Sequence, residues 1–262
     1  MRRLAVLGAG MMGEALVRGL LTAGWEPDRI VMADVRQGRL DELREVLGVH
    51  VEQDNATAAA GAEAVLLAVK PQDATEVLSG LGPDRAVLSI VAGLRTSAIA
   101  DAVGARTPVV RAMPNTPARV GRGVTALAAG AACDDATRTL AADVFSAVGP
   151  VVWLEEDLLD AVTAVSGSGP AYVFYLAEAM LTGAEQVGLD PTTARTLVVQ
   201  TLRGAAEMLA QDDADPRELR AQVTSPGGTT EAAVAALDAH DVKAALAEAI
   251  ARAARRSAEL GR

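Results

Sequence analysis

An alternation over the first 155 residues limits this chain most. Short unbroken apolar runs, LAVLGAG (4–10), RIVMADV (29–35), AVLLAVK (64–70), AVLSIVA (86–92) and PVVRAMP (108–114), are separated by stretches with helical spacing. A strand with one wet face alternates apolar and polar residues, whereas continuous Val, Leu and Ile runs suit strands covered on both faces of a parallel sheet. The weaker runs VTALAAG (124–130) and PVVWLE (150–155) predict two further strands on that sheet. Beyond them the sequence predicts helices only, over 157–165, 169–187, 191–210, 216–224, 229–239 and 241–258, with SGSGP, GLDP, DDADP and SPGG between them. Pro170 and Pro191 fall just inside two of these helices, where a missing N–H is harmless. The expected fold class is α/β: a Rossmann-type doubly wound parallel sheet over 1–155, then an all-helical domain over 156–262.

Composition says what fills the core and which partners are excluded. Half of the 262 residues are hydrophobic but only 2% are aromatic, so the core is built of Ala, Val and Leu. A formal charge of −10 argues against nucleic acid, which needs a basic face. The single cysteine, Cys133, forms no internal disulfide, which suits the cytoplasm. Met1-Arg2-Arg3 leads into a first strand rather than a signal peptide, and no stretch is long enough to cross a membrane. The two histidines, His50 before a strand and His240 at a helix junction, lie in no motif and read as structural. With no clustered Cys and His and no Ser-His-Asp set, neither a metal site nor a triad is expected.

GAGMMG (8–13) places Gly8, Gly10 and Gly13 in the G-x-G-x-x-G spacing, directly after a strand and opening a helix. In that context the glycines allow a tight turn, close approach to a pyrophosphate and helix–strand packing, with Ala9, Met11 and Met12 completing the loop. Asp34 ends the second strand 21 residues after Gly13 (34 − 13), where a ribose-binding acid is expected. Its carboxylate favours the free 2′-hydroxyl of NAD, yet Arg36 and Arg39 follow and offer cations to the 2′-phosphate of NADP; the choice stays open.

Lys70 ends a strand at the sheet's ligand edge and is one of only two lysines beside 22 arginines. It reads either as a site residue or as a solvated strand-end lysine. In RAMPNTPA (111–118), two prolines bracket Asn115, whose amide suits a nicotinamide carboxamide or a purely local turn. Ser168 in SGSGP reads as the N-cap of the following helix. A second glycine-rich helix start, SPGGTTE (225–231), repeats the anion-binding logic of the first loop.

Together and in this order, GAGMMGEAL, AVKP, RAMPNTPA, DAVTAVSGSGPAYVF and TSPGGTTEAAV resemble the pyrroline-5-carboxylate reductase family over essentially the whole chain. The resemblance implies NADPH- or NADH-dependent reduction of a cyclic imine carboxylate, the last step of proline synthesis. It also implies that the helical domain dimerises, that dimers can assemble into a ring, and that the active site lies between the domains with the SPGGTTE loop supplied by a partner subunit. Carried over, Gly8 to Gly13 hold the pyrophosphate, and Asp34, Arg36 and Asn55 meet the adenosine ribose. Val69, Lys70, Pro71, Ala92 and Gly93 line the nicotinamide side. Glu156, Thr163, Ser225, Gly227, Gly228, Thr229 and Thr230 surround the substrate, with Thr163 bonding the ring nitrogen and water able to serve as acid. Val35 stands where the family pattern has a basic or small polar residue, which bears on NADP preference and not on the reaction. Two other readings are a β-hydroxyacid dehydrogenase, for which Lys243 is the only candidate lysine in the helical half, and a coenzyme-sensing scaffold without turnover.

Overall fold

The computed structural model describes residues 3–83 and 85–261. Among these, one sheet holds β1 (Leu4–Leu7), β2 (Ile30–Ala33), β3 (His50–Glu52), β4 (Ala64–Leu67), β5 (Ala86–Ser89), β6 (Val109–Pro114), β7 (Thr125–Ala129) and β8 (Val151–Trp153). Their spatial order is β3-β2-β1-β4-β5-β6-β7-β8. Every neighbouring pair is parallel except β6 and β7, so the last two strands extend the sheet with the chain direction reversed. The order turns back at β1, between β2 and β4, as doubly wound dinucleotide-binding sheets do. His50 opens β3 rather than preceding it.

The apolar runs are buried because helices cover both faces. Leu4, Val6, Ile30, Met32, Leu66 and Leu88 point into one cluster with Leu16, Val17, Leu20, Val144 and Phe145 from the helices Met11–Thr22 and Asp135–Ser146. Ala5, Leu7, Val31, Val65, Leu67 and Val87, their neighbours along the same strands, point into the other. That second layer includes Ala58, Val77, Leu78 and Ile99 from the helices Asn55–Ala59, Pro71–Ser79 and Thr96–Val103. Strands whose alternate residues serve opposite cores read as continuous apolar runs, which is why they stand out in the sequence. Trp25 packs against the first cluster, and Trp153 on β8 lies under the guanidinium of Arg138, 4.8 Å from the ring centroid.

The chain forms two compact units, Met1–Ser168 with Ala253–Arg262, and Gly169–Arg252. The first contains the sheet. In it, Ser257 at the chain's end donates its hydroxyl to Asp160 at 2.6 Å. The second is wholly helical: Gly169–Gln186, Pro191–Leu209, Pro216–Gln222, Thr229–Ala239 and the greater part of Val242–Leu260. Ala194 and Val198 are its only buried hydrophobic residues, while Val173, Phe174, Tyr175 and Leu176 are each more than half exposed. No helix among the described residues is long and apolar enough to cross a membrane.

Ser168 is not an N-cap. Its backbone is helical (φ −83°, ψ −20°), and its N–H reaches back five residues to the Thr163 carbonyl at 2.8 Å. The chain passes from the helix Leu159–Val162 through a π-turn, Thr163–Gly167, into the next helix without the extended residue a cap requires. Aspartates cap elsewhere: Asp54, Asp134, Asp190 and Asp215 accept N–H groups of the helices they precede.

The Thr137 side chain, and after it the Thr137 N–H, holds the Asp134 carboxyl below the usual carboxylate range. A depressed folded value means that the cap stabilises fully above about pH 4–5 and less as pH falls through that value. Asp134→Ala should therefore melt a few degrees lower than the parent at pH 7, with the gap narrowing toward pH 3. A gap that stays constant across that range refutes the capping account.

Candidate active site

Parallel strands bring the ends of β1, β2, β4, β5 and β6 to one edge of the sheet. Gly8, at the end of β1, has φ +105°, and a Cβ there would lie 2.5 Å from the Ala68 carbonyl oxygen. A Cβ on Gly13 would lie 2.4 Å from the Gly8 oxygen. Packing therefore explains two of the three glycines. It does not explain Gly10, where a Cβ would meet no atom within 4 Å. Gly10 is the N-cap of the helix Met11–Thr22, and no side chain caps it. The first N–H groups of that helix, from Met11, Met12 and Gly13, stand without intrahelical partners beside the open space. Free N–H donors at a helix N-terminus suit an anion such as a pyrophosphate in charge and hydrogen-bonding need.

Asp34 stands at the end of β2, facing this loop, and accepts the Ala9 N–H at 3.0 Å. Arg36 bonds it three times, through its N–H (3.0 Å), Nε (2.8 Å) and Nη2 (2.9 Å). The Arg36 guanidinium, against the opposing effect of burial, holds the Asp34 carboxyl below its ordinary range. Arg39 is a clamp: it donates to the Ala9 carbonyl at 3.1 Å and pairs with Glu14 and Glu42. Asn55 begins the short helix after β3 on the same edge.

Val69 and Lys70 follow β4, and the Val69 amide lies beneath Gly8. Lys70 is the extended N-cap residue before Pro71. Its side chain is exposed and forms no hydrogen bond or ion pair among the described residues. Ala92 and Gly93 form the turn after β5, where Gly93 has φ +76° and a Cβ would press on Leu260 and Gly261, 3.1 Å away, at the chain's own end. Asn115 is occupied at both ends of its amide: Oδ1 accepts the Val124 N–H (3.0 Å), and Nδ2 donates to Ser166 in the π-turn (3.2 Å). It ties the β6 loop to that turn, with one N–H and one lone pair of its amide not used in these two bonds.

Glu156 is tied up in the same way. It receives the Thr96 N–H and hydroxyl, both at 2.8 Å, and the buried Arg111 guanidinium at 3.3 Å. It thereby caps the helix Thr96–Val103 from sixty residues away, while Arg95 pairs with the neighbouring Asp157 at 2.6 Å. The sequence held one signal for this network, an arginine inside the apolar run PVVRAMP. Thr163 opens the π-turn and gives its hydroxyl proton to the Leu159 carbonyl at 2.8 Å, which leaves that oxygen able only to accept.

In the second unit, Gly227 (φ +70°) and Gly228 close a turn on Ser225, whose carbonyl accepts the Gly228 N–H at 3.0 Å. A Cβ on Gly228 would lie 2.5 Å from the Ser225 hydroxyl. Gly228 caps the helix Thr229–Ala239 without a side-chain bond. Glu231 accepts the Gly227 N–H at 2.8 Å through its side chain, and the Thr229, Thr230 and Glu231 amides are the donors left at this helix start. Among the described residues no group of three His, Cys, Asp or Glu side chains is placed to hold a metal ion.

The strand order, the glycine loop at the switch point and the acid on β2 define a dinucleotide-binding protein of the Rossmann class. The profile described as coenzyme F420-dependent NADP oxidoreductase matches residues 3–93, and that of pyrroline-5-carboxylate reductase dimerisation matches 156–260. The pyrroline-5-carboxylate reductase of Methanosarcina acetivorans is 41% identical over all of this chain and 98% of its own length. That of Synechocystis is 42% identical over 99% of this chain and 98% of its own. The solved Coxiella burnetii reductase superposes with a TM-score of 0.92 at 37% identity, covering 100% of this chain and 99% of the other. The Plasmodium falciparum enzyme, solved with NADP bound, gives 0.89 at 27% identity over 100% and 98%. The chain belongs to the pyrroline-5-carboxylate reductase family.

The Glu156 network predicts a loss of stability rather than of ligand affinity. Glu156→Ala strands Arg111 and uncaps a helix, and should cost roughly 3 kcal/mol in denaturant unfolding with KM unchanged. A variant as stable as its parent but with a raised KM would return Glu156 to the substrate.

Proposed function

We propose that this chain reduces 1-pyrroline-5-carboxylate to proline with NADH or NADPH. The observation that carries the reading is identity near 40% with reductases of that name over the full length of both chains. The coenzyme, when bound, supplies a hydride to the C=N carbon. The Gly8 to Gly13 loop holds its pyrophosphate, Asp34, Arg36 and Asn55 the adenosine end, and Val69, Lys70, Pro71, Ala92 and Gly93 the nicotinamide side.

Thr163 accepts a hydrogen bond from the protonated ring nitrogen. With its own proton given to Leu159, it favours the iminium form and cannot be the acid, so the proton arrives with the substrate from water. Much of the catalytic effect is then orientation, worth up to roughly 7–11 kcal/mol in the best-placed cases. The substrate's carboxylate binds the Thr229 and Thr230 amides and the Thr230 hydroxyl, in a loop shaped by Ser225, Gly227 and Gly228. Hydroxyacid oxidation is disfavoured because Lys243, its candidate lysine, is an exposed surface partner of Asp238 at 2.8 Å.

We further infer a nucleotide-binding domain to residue 155, a dimerisation domain from 156, a cytoplasmic site of action, and a homodimer as the working unit. The exposed apolar run Val173–Leu176, which points to all sides of its helix, and the near absence of a core in the second unit support the dimer, because apolar surface of that extent needs a cover.

Purified protein should oxidise NAD(P)H with pyrroline-5-carboxylate and fail to reduce NAD(P) with β-hydroxyacids; the reverse pattern overturns the reading. Thr230→Ala should raise KM about tenfold or more, since a charge-assisted bond contributes roughly 1.5–3 kcal/mol. A plain helix start would lose stability and leave KM unmoved. If folding is coupled to dimerisation, each tenfold dilution removes about 1.4 kcal/mol, so the melting midpoint should fall with dilution. A constant midpoint, with a monomer mass by light scattering, contradicts the dimer.

A further inference from the structure

The segment after β2 offers a coenzyme one anion and two cations, and the structure shows what each is doing. Asp34 is bonded on every side. Oδ1 accepts the Arg36 N–H and Nε–H, and Oδ2 accepts the Ala9 N–H and Arg36 Nη2–H. Those four donors fill the roughly four lone-pair positions of a carboxylate. A ribose diol can reach Asp34 only by displacing one of them. The Ala9 amide is backbone and cannot leave. The Arg36 side chain is 62% exposed and can turn out into water, whereas the Asp34 side chain is only 9% exposed.

We infer that Arg36 is an internal competitor of the adenosine ribose for Asp34, and that the chain consequently favours NADH over NADPH while Arg36 acts in opposite senses on the two. The inference rests on the reading of the first loop as a coenzyme site. For NADH, the ribose hydroxyls donate to Asp34 in place of the departing guanidinium, so the carboxylate stays satisfied. For NADPH, the 2′-phosphate carries only acceptors. It cannot bond Asp34, is repelled by it, and has to share Arg36 with that carboxylate, reaching only the Nη1 hydrogens and the one Nη2 hydrogen that the pairing leaves over. Arg39 does not relieve this, because Glu14, Glu42 and the Ala9 carbonyl already engage it. Arg36 thus obstructs NADH and is the cation NADPH depends on.

The test is equilibrium binding of NADH and of NADPH, by calorimetry, to the parent, Arg36→Ala and Asp34→Asn proteins. The parent should bind NADH about tenfold tighter. Arg36→Ala should tighten NADH severalfold and weaken NADPH about tenfold, and Asp34→Asn should remove most of the preference. A parent that prefers NADPH, or an Arg36→Ala protein that weakens both coenzymes alike, overturns the inference and leaves the coenzyme site standing. If the parent binds neither coenzyme, the reading of the site falls and the inference with it.

Discussion

The ligand edge depends on how closely the first loop crosses the end of β4. At Gly8 the backbone passes so near the Ala68 carbonyl that no side chain fits. That approach aims the following residues outward, starts the helix Met11–Thr22 with its N–H groups uncovered, and brings the Ala9 amide to Asp34 on the next strand. Gly13 then seats the helix against Gly8 itself. A side chain at Gly8 would shift all of these together. By contrast, a side chain at Gly10 would disturb nothing within the protein and would only fill the space a ligand needs.

The sheet could be read from the sequence because its causes are local. A run such as AVLL records burial on both faces in four residues, and glycine spacing records a turn in six. The reversed direction of β7 could not be read that way, since direction is set by where the chain returns. Ser168 misled for a related reason: serine before Gly-Pro suits a cap, yet it also tolerates the middle of a helix, and the π-turn from Thr163 fixed its conformation. Glu156 and Asn115 show the larger limit. Each is a polar residue in a distinctive motif, and each is engaged by a partner that sequence spacing does not reveal, Thr96 and Arg111 for one and Ser166 and Val124 for the other.

The same limit explains why coenzyme choice stayed open. Asp34, Arg36 and Arg39 read as one acid and two equivalent bases. In three dimensions the bases differ: Arg39 is locked between two glutamates, whereas Arg36 lies exposed on the carboxylate. Charge counting along a segment treats them alike, and only geometry separates a clamp from a movable cover.

The two tryptophans carry a consequence of their own. Trp25 and Trp153 both belong to the sheet-containing unit, whereas both tyrosines, Tyr172 and Tyr175, lie on the first helix of the other. The chain is therefore optically divided, with every indole in one unit and every phenol in the other. Light absorbed at wavelengths beyond the phenol band excites indoles of the sheet-containing unit alone, and the phenols belong to the helical unit.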